Sequence, residues 1–272
     1  MTTLDSPGAY TGISDLAVSL DDGVLSVTFN RPDSLNSLNA AMLRTAADTL
    51  ERAASDPAVK VVRLSGAGRG FCSGAGISAE DQSRRSENPE DDDVLLHANR
   101  TVQAITRLPK PVVAVVQGPA AGVGVSLALA CDIVLASEKA FFLLAFTKIG
   151  LMPDGGASAL VAAAIGRIRA MRMALLAERI SATEAFEFGL VSAVHPVDEL
   201  DAATDKVINT LVSGPAVALR KTKQAINDAT LTELDAAIGR EVEGQGILLR
   251  SRDFREGTKA FQEHRSPTFT DD

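Results

Sequence analysis

The sequence holds no tryptophan, a single tyrosine and only two cysteines in 272 residues. Without large aromatics, burial has to come from Ala, Val, Leu and Ile packing. Two cysteines, Cys72 and Cys131, make no disulfide framework and match no metal-ligand spacing, so a reducing cytoplasm and no metal site are expected. The three histidines, His97, His195 and His264, are far apart and form no H-E-x-x-H pattern. Positive charge is short: 27 Lys and Arg against 35 Asp and Glu leave a net charge of -8. That balance excludes the broad basic face a nucleic-acid partner requires, although a local cluster can still meet a small polyanion. No apolar run reaches the roughly 18 residues that span a bilayer. The longest, residues 112–129, is cut by Gly118, Pro119, Gly122 and Gly124. The first 14 residues lack a basic region followed by an apolar one, so no signal peptide is expected. Gly-x-Ser-x-Gly is absent as well, and with it the signature of a hydrolase nucleophile elbow.

What is present alternates strand and helix. Residues 24–29 read as a strand entered through the turn Asp21-Asp22-Gly23. Asn39 is placed to cap a helix through residue 54, with Met42, Ala46, Leu50 and Ala53 on one face. Strands are expected at 59–64, 112–116, 133–136 and 191–194, and helices at 94–108, 121–131 and 157–165. The strongly polar residues 80–93 read as a mobile loop that helps close a pocket. This alternation is that of an α/β fold with a mainly parallel sheet. After residue 197 only helical patterns follow, at 198–212, 215–229, 230–250 and 253–263. The expected organisation is a core over 1–197 and a helical portion over 198–272, packed on the core or on a neighbouring subunit.

Three segments could carry chemistry. Residues 66–77 (GAGRGFCSGAGI) follow a strand, at the sheet edge where open α/β folds bind ligands. Their glycine spacing is not G-x-G-x-x-G, and on spacing alone they serve equally as a tight turn. Residues 117–125 (QGPAAGVGV) also follow a strand and open a helix, whose N-terminal amides suit negative charge. There the glycines could equally serve close helix packing. Two such turns converging at one edge could give two N–H donors to one developing oxyanion, the requirement for stabilising an enolate beside a thioester carbonyl. In residues 151–156 (LMPDGG), Asp154 precedes an apolar helix and by itself reads as an ordinary turn or N-cap aspartate. The basic residues 220–223 read as a solvated helix face.

In order and spacing, several motifs together resemble the crotonase (enoyl-CoA hydratase/isomerase) superfamily along nearly the whole chain: NRPDSLNSL (30–38), GFCSGA (70–75), KPVVAVVQG (110–118), CDI (131–133), IGLMP (149–153), SATEA (181–185) and REGTKAFQEHRSPTF (255–269). The resemblance implies a spiral of ββα turns with a helical C-terminal trimerisation region, assembled as a homotrimer or a hexamer (dimer of trimers). It implies an acyl-CoA thioester substrate, with coenzyme A brought as part of that substrate and no permanently bound cofactor. It places the oxyanion-hole donors at the backbone N–H groups of Ala75 and Val123. Coenzyme A and acyl contacts fall at Ser34, Leu35, Asn36, Ser73, Gly76, Ile77, Phe142 and Phe146.

The hydratase pattern fails at two positions. The two glutamates that activate water in hydratases of the family fall on Ser126 and Phe146, and the aspartate that often follows Gly-Ala in the first loop is Gly76. The stretch 141–156 resembles instead the isomerase branch, including the phenylacetate-pathway isomerases, whose one catalytic carboxylate occupies the position of Asp154. The expectation is a Δ3,Δ2-enoyl-CoA isomerase with Phe142 and Phe146 walling Asp154. A weak enoyl-CoA hydratase and a non-catalytic acyl-CoA-binding protein are the alternatives.

Overall fold

The computed structural model describes residues 10–78, 81 and 93–270. The segment read as a mobile loop, 80–93, therefore lies almost wholly outside the described residues.

A six-stranded sheet runs through the molecule in the order β1-β2-β3-β4-β6-β9. Its strands are β1 (Leu16–Asp21), β2 (Val24–Phe29), β3 (Val61–Gly66), β4 (Val112–Val116), β6 (Ile133–Ser137) and β9 (Ala193–His195). Only β1 and β2 pair antiparallel; from β2 onward every pair is parallel. β4 shows why its sequence is an unbroken VVAVV. Val112, Ala114 and Val116 join the main core, while Val113 and Val115 face the other side with Val61 and Leu135. A strand buried on both faces has no reason to alternate apolar and polar residues.

A smaller three-stranded sheet, β5 (Pro119–Ala121), β7 (Phe141–Leu143) and β8 (Ile180–Ser181), stands beside the first. Chain order then gives β4-β5-α3 and β6-β7-α4, where α3 is Val123–Ala130 and α4 is Ala157–Leu176. These are successive ββα turns of the expected spiral. The three short strands carry no readable period, so their residues look like neighbouring loops or, at residue 121, like the start of the helix.

Helix α1 (Ala40–Ser55) begins where Asn39 accepts a hydrogen bond from Met42 N–H at 2.8 Å. It buries Met42, Ala46, Leu50 and Ala53 as its period requires and packs on α2 (Val94–Arg107). Helix α4 continues well past residue 165 to Leu176, with a non-helical Gly166 inside it. After α5 (Ala182–Phe188) and β9, the described chain from Leu200 onward is helix and connection: α6 (Leu200–Val212), α7 (Ala216–Thr230), α8 (Leu234–Leu248) and α9 (Arg252–Gln262). Helix α6 lays Leu200 and Ile208 on the second face of the main sheet, α8 packs on α4, and α9 packs on the 3-10 turn Phe146–Ile149. Among the described residues, no helix is long and apolar enough to cross a membrane.

Candidate active site

The two glycine-rich turns meet. Phe71 and Cys72 both donate to Pro119 O at 3.0 Å, and Ala121 donates back to Cys72 O at 2.8 Å. The contact is close enough to demand glycine. A side chain at Gly118 would begin 1.9 Å from Arg69 O, and one at Gly74 (φ +91°) would begin 2.9 Å from Ala121 O. On the other side, Leu38 donates to Gly74 O and accepts from Gly76 N–H. Because donors alternate along an extended chain, the Ala75 N–H then faces away from Leu38. Val123 is the first residue of α3, where helix geometry leaves the N–H without an internal acceptor. Among the described residues neither N–H has a protein partner.

Both turns open into a pocket of about 1100 Å³. Ser34, Leu35, Ser73, Ala75, Gly76, Ile77, Val123, Phe146 and Asp154 all line it. Ser73 Oγ donates to Ser34 O at 2.9 Å, which ties the two stretches expected to meet coenzyme A.

Two expected contacts are corrected. Phe142 is fully buried in the main core and does not face the pocket. Its neighbours Phe141 and Leu143 do, because successive residues of β7 point to opposite faces. Asn36 is also fully buried, and its work is structural. Its Oδ1 accepts from Arg31 N–H at 2.8 Å and its Nδ2 donates to Ala67 O and Gly70 O, fastening the first glycine loop.

Gly76 has a spatial explanation. A side chain there would start 2.4 Å from the carboxyl carbon of Asp81. Asp81 fills that space and pairs with Arg31 at 3.1 Å. Burial works against ionisation of Asp81, but hydrogen bonds from Ser78 and Arg31 outweigh it and hold the carboxyl below its ordinary range.

Asp154 lies in the link between the Phe146–Ile149 turn and α4, half-buried at the pocket wall. Ser126, which the resemblance expects at a hydratase glutamate position, is fully buried and donates from Oγ to Asp154 O at 2.8 Å. Phe146, expected at the other, packs its ring beside Gly122. Burial pushes the Asp154 carboxyl up from an ordinary 3.8 to about 7; a hydrogen bond from Gln245 opposes this and the charge of Glu241 reinforces it. Among the described residues no cation pairs with Asp154.

Glu241 and Gln245, not among the residues expected from sequence, hold the Asp154 turn. Gln245 Nε2 donates to Asp154 Oδ2 at 2.7 Å and to Met152 O at 2.9 Å. Glu241 accepts from Gly156 N–H at 2.6 Å and from the Ser158 N–H and hydroxyl. A signal existed: both residues continue the apolar stripe of α8 formed by Leu234, Ala237 and Ile238. Charged and amide side chains on such a stripe are buried only where they find partners.

This arrangement sets two free amide donors and a carboxylate of raised proton affinity on one pocket, the components of enolate chemistry. The sequence matches the enoyl-CoA hydratase/isomerase family over residues 19–272. It is 39% identical to 1,2-epoxyphenylacetyl-CoA isomerase of Escherichia coli K12, covering 92% of this chain and 96% of that protein. It is 34% identical to 2,3-dehydroadipyl-CoA hydratase of the same organism, covering 94% and 99%. A crystal structure described as an enoyl-CoA hydratase from Mycobacterium avium subsp. paratuberculosis K-10 superposes with a TM-score of 0.88 at 65% identity, covering 96% of this chain and all of that one. The chain belongs to the enoyl-CoA hydratase/isomerase family and is an enzyme of the crotonase superfamily.

Proposed function

We propose that the protein is a Δ3,Δ2-enoyl-CoA isomerase. The observation that carries this reading is a single carboxylate of raised proton affinity, Asp154, on the same pocket as the free Ala75 and Val123 N–H groups. The thioester carbonyl of a 3-enoyl-CoA binds between those two N–H groups. Asp154 removes a proton from C2, the N–H groups hold the resulting dienolate, and the same carboxylate returns the proton at C4. Coenzyme A enters as part of the substrate, and the proton shift uses the chain's own groups. Apolar pocket residues Leu143, Phe146 and Leu151 keep the base poorly solvated.

A second reading, hydration of a 2-enoyl-CoA, is favoured by the hydratase names among the relatives. It would require Asp154 to activate water without the glutamates that Ser126 and Phe146 replace. Absorbance of the conjugated thioester separates the two. Conjugation arising from a 3-enoyl-CoA, with little loss from a 2-enoyl-CoA, supports isomerisation; rapid loss from the 2-enoyl-CoA means hydration. Binding of acyl-CoA without turnover of either would leave a non-catalytic binder.

Assembly as a homotrimer or hexamer is part of the same proposal. Helix α7 turns Lys223 and Asn227 inward, buries no apolar side chain within the chain and exposes Val217 and Ile226, as a helix covered by another copy would. Sedimentation equilibrium tests this: a monomeric mass removes it.

A further inference from the structure

Helix α8 holds the Asp154 turn from both sides. Gln245 and Glu241 are one helical turn apart and so project from one face. Gln245 takes the residues before the turn's centre: its Oε1 accepts from Met152 N–H at 3.4 Å, while its Nε2 donates to Met152 O at 2.9 Å. Glu241 takes the residues after it, through Gly156 and Ser158. The remaining Nε2 hydrogen goes to Asp154 Oδ2 at 2.7 Å.

The amide cannot sit the other way round. Reversed, Oε1 would confront two acceptors, Met152 O and the Asp154 carboxylate, and Nε2 would confront the Met152 N–H. At 1% exposure the reversed amide would leave all three of these groups mismatched. Gln245 is therefore a fixed donor that cannot take Asp154's proton.

We propose that Gln245 is the positioning residue of the catalytic base: it ties up Oδ2 of Asp154, orients the carboxylate, and leaves Oδ1 as the oxygen that carries the proton between C2 and C4. Glu241 is its counterpart, a carboxyl on the same helix face whose own ionisation burial disfavours and whose negative charge disfavours ionisation of the base. This rests on Asp154 being the base. The proton affinity of Asp154 is then set by two opposed neighbours on one helix, with burial as the larger background. The other charged groups on the pocket wall, Asp15, Arg31, Asp33, Asp81, Asp93 and Lys148, come from other segments and are untouched by changes in α8.

The test is the pH dependence of kcat and KM for a 3-enoyl-CoA between about pH 5 and pH 9, in Gln245→Leu, Gln245→Glu, Glu241→Gln and Asp154→Asn. Gln245→Leu should lower kcat by about 10- to 100-fold, the range for a lost hydrogen bond to a charged group, with KM changed less than about twofold. Its rising limb should move to higher pH, because the lost donor favoured the ionised carboxyl. Glu241→Gln should move that limb to lower pH. A purely structural role would not displace the limb in opposite directions. If Gln245→Leu does not fold, the nearly isosteric Gln245→Glu gives the same readout, its limb also moving up as two carboxyls share one proton. Full activity in Asp154→Asn would overturn the base assignment itself. An inactive Asp154→Asn beside an unshifted limb and parental kcat in the Gln245 variants would overturn the positioning role alone.

Discussion

Two carboxylates look into the same pocket and are treated in opposite ways. Asp81 sits on a polar wall, paired with Arg31 and bonded to Ser78, and is held below its ordinary range. Asp154 sits on an apolar wall where, among the described residues, no cation pairs with it and its one side-chain donor is a neutral amide, and it is pushed up to about 7. Burial acts on both; at Asp81 the hydrogen bonds from Ser78 and the Arg31 guanidinium overcome it, whereas at Asp154 the single bond from Gln245 does not. At neutral pH Asp81 is a structural anion committed to Arg31, whereas Asp154 can take up and release a proton. Residue type and pocket membership are shared, so neither is enough to identify a base.

The sharpest way to break this contrast is Asp154→Asn. Loss of a positioned general base should cost about 10²- to 10⁴-fold in kcat for a 3-enoyl-CoA. The matching Asp81→Asn change should leave the chemical step far less affected, and equal losses in the two would erase the distinction drawn here.

The next effect concerns packing behind the apolar wall. Phe142→Ala should destabilise by about 3–5 kcal/mol, as removal of a fully buried phenylalanine does. Phe141→Ala, one position away, should cost under about 1.5 kcal/mol, since that ring is partly exposed and holds Arg179 at 3.7 Å. Urea midpoints of the two variants check the parity of β7.

Arg31→Met tests the polar wall. It strands a nearly buried carboxylate and should destabilise by about 2–4 kcal/mol near neutral pH. Because the folded state lowers the pKa of Asp81, the stability from this pair is present above the unfolded carboxyl range and fades as acid protonates it. The variant and parent should therefore converge as the pH falls below the ordinary carboxyl range. A pH-independent gap would assign the loss to the bonds from Arg31 to Ser37.

The smallest effect has the opposite sign. The Asp154 pKa is raised on folding, so ionising it costs stability as pH climbs from about 4 to about 7. Asp154→Asn should be more stable than the parent by about 2 kcal/mol near pH 8, reduced from the full shift because the carboxyl borders the pocket. Near pH 4 the gain should vanish. Thermal melts at the two pH values decide it, and an unchanged midpoint at pH 8 would mean a better solvated carboxylate than its surroundings indicate.

Sequence alone determined a good deal. The continuous apolar run of β4, the cap at Asn39 and the helical chain after residue 200 were readable because each depends on residues a few positions apart. So was the arrival of two glycine-rich turns at one sheet edge, since each directly follows a strand. Strands of two or three residues hold too little pattern to read, which hid β5, β7 and β8 and turned Phe142 the wrong way. Only the tertiary structure made Asp154 a candidate base on physical grounds. Its proton affinity comes from burial, from an amide 91 positions along the chain and from the charge of Glu241. Proton affinity is a property of the space around a group, and that space is assembled only when α8 packs against the turn that carries Asp154.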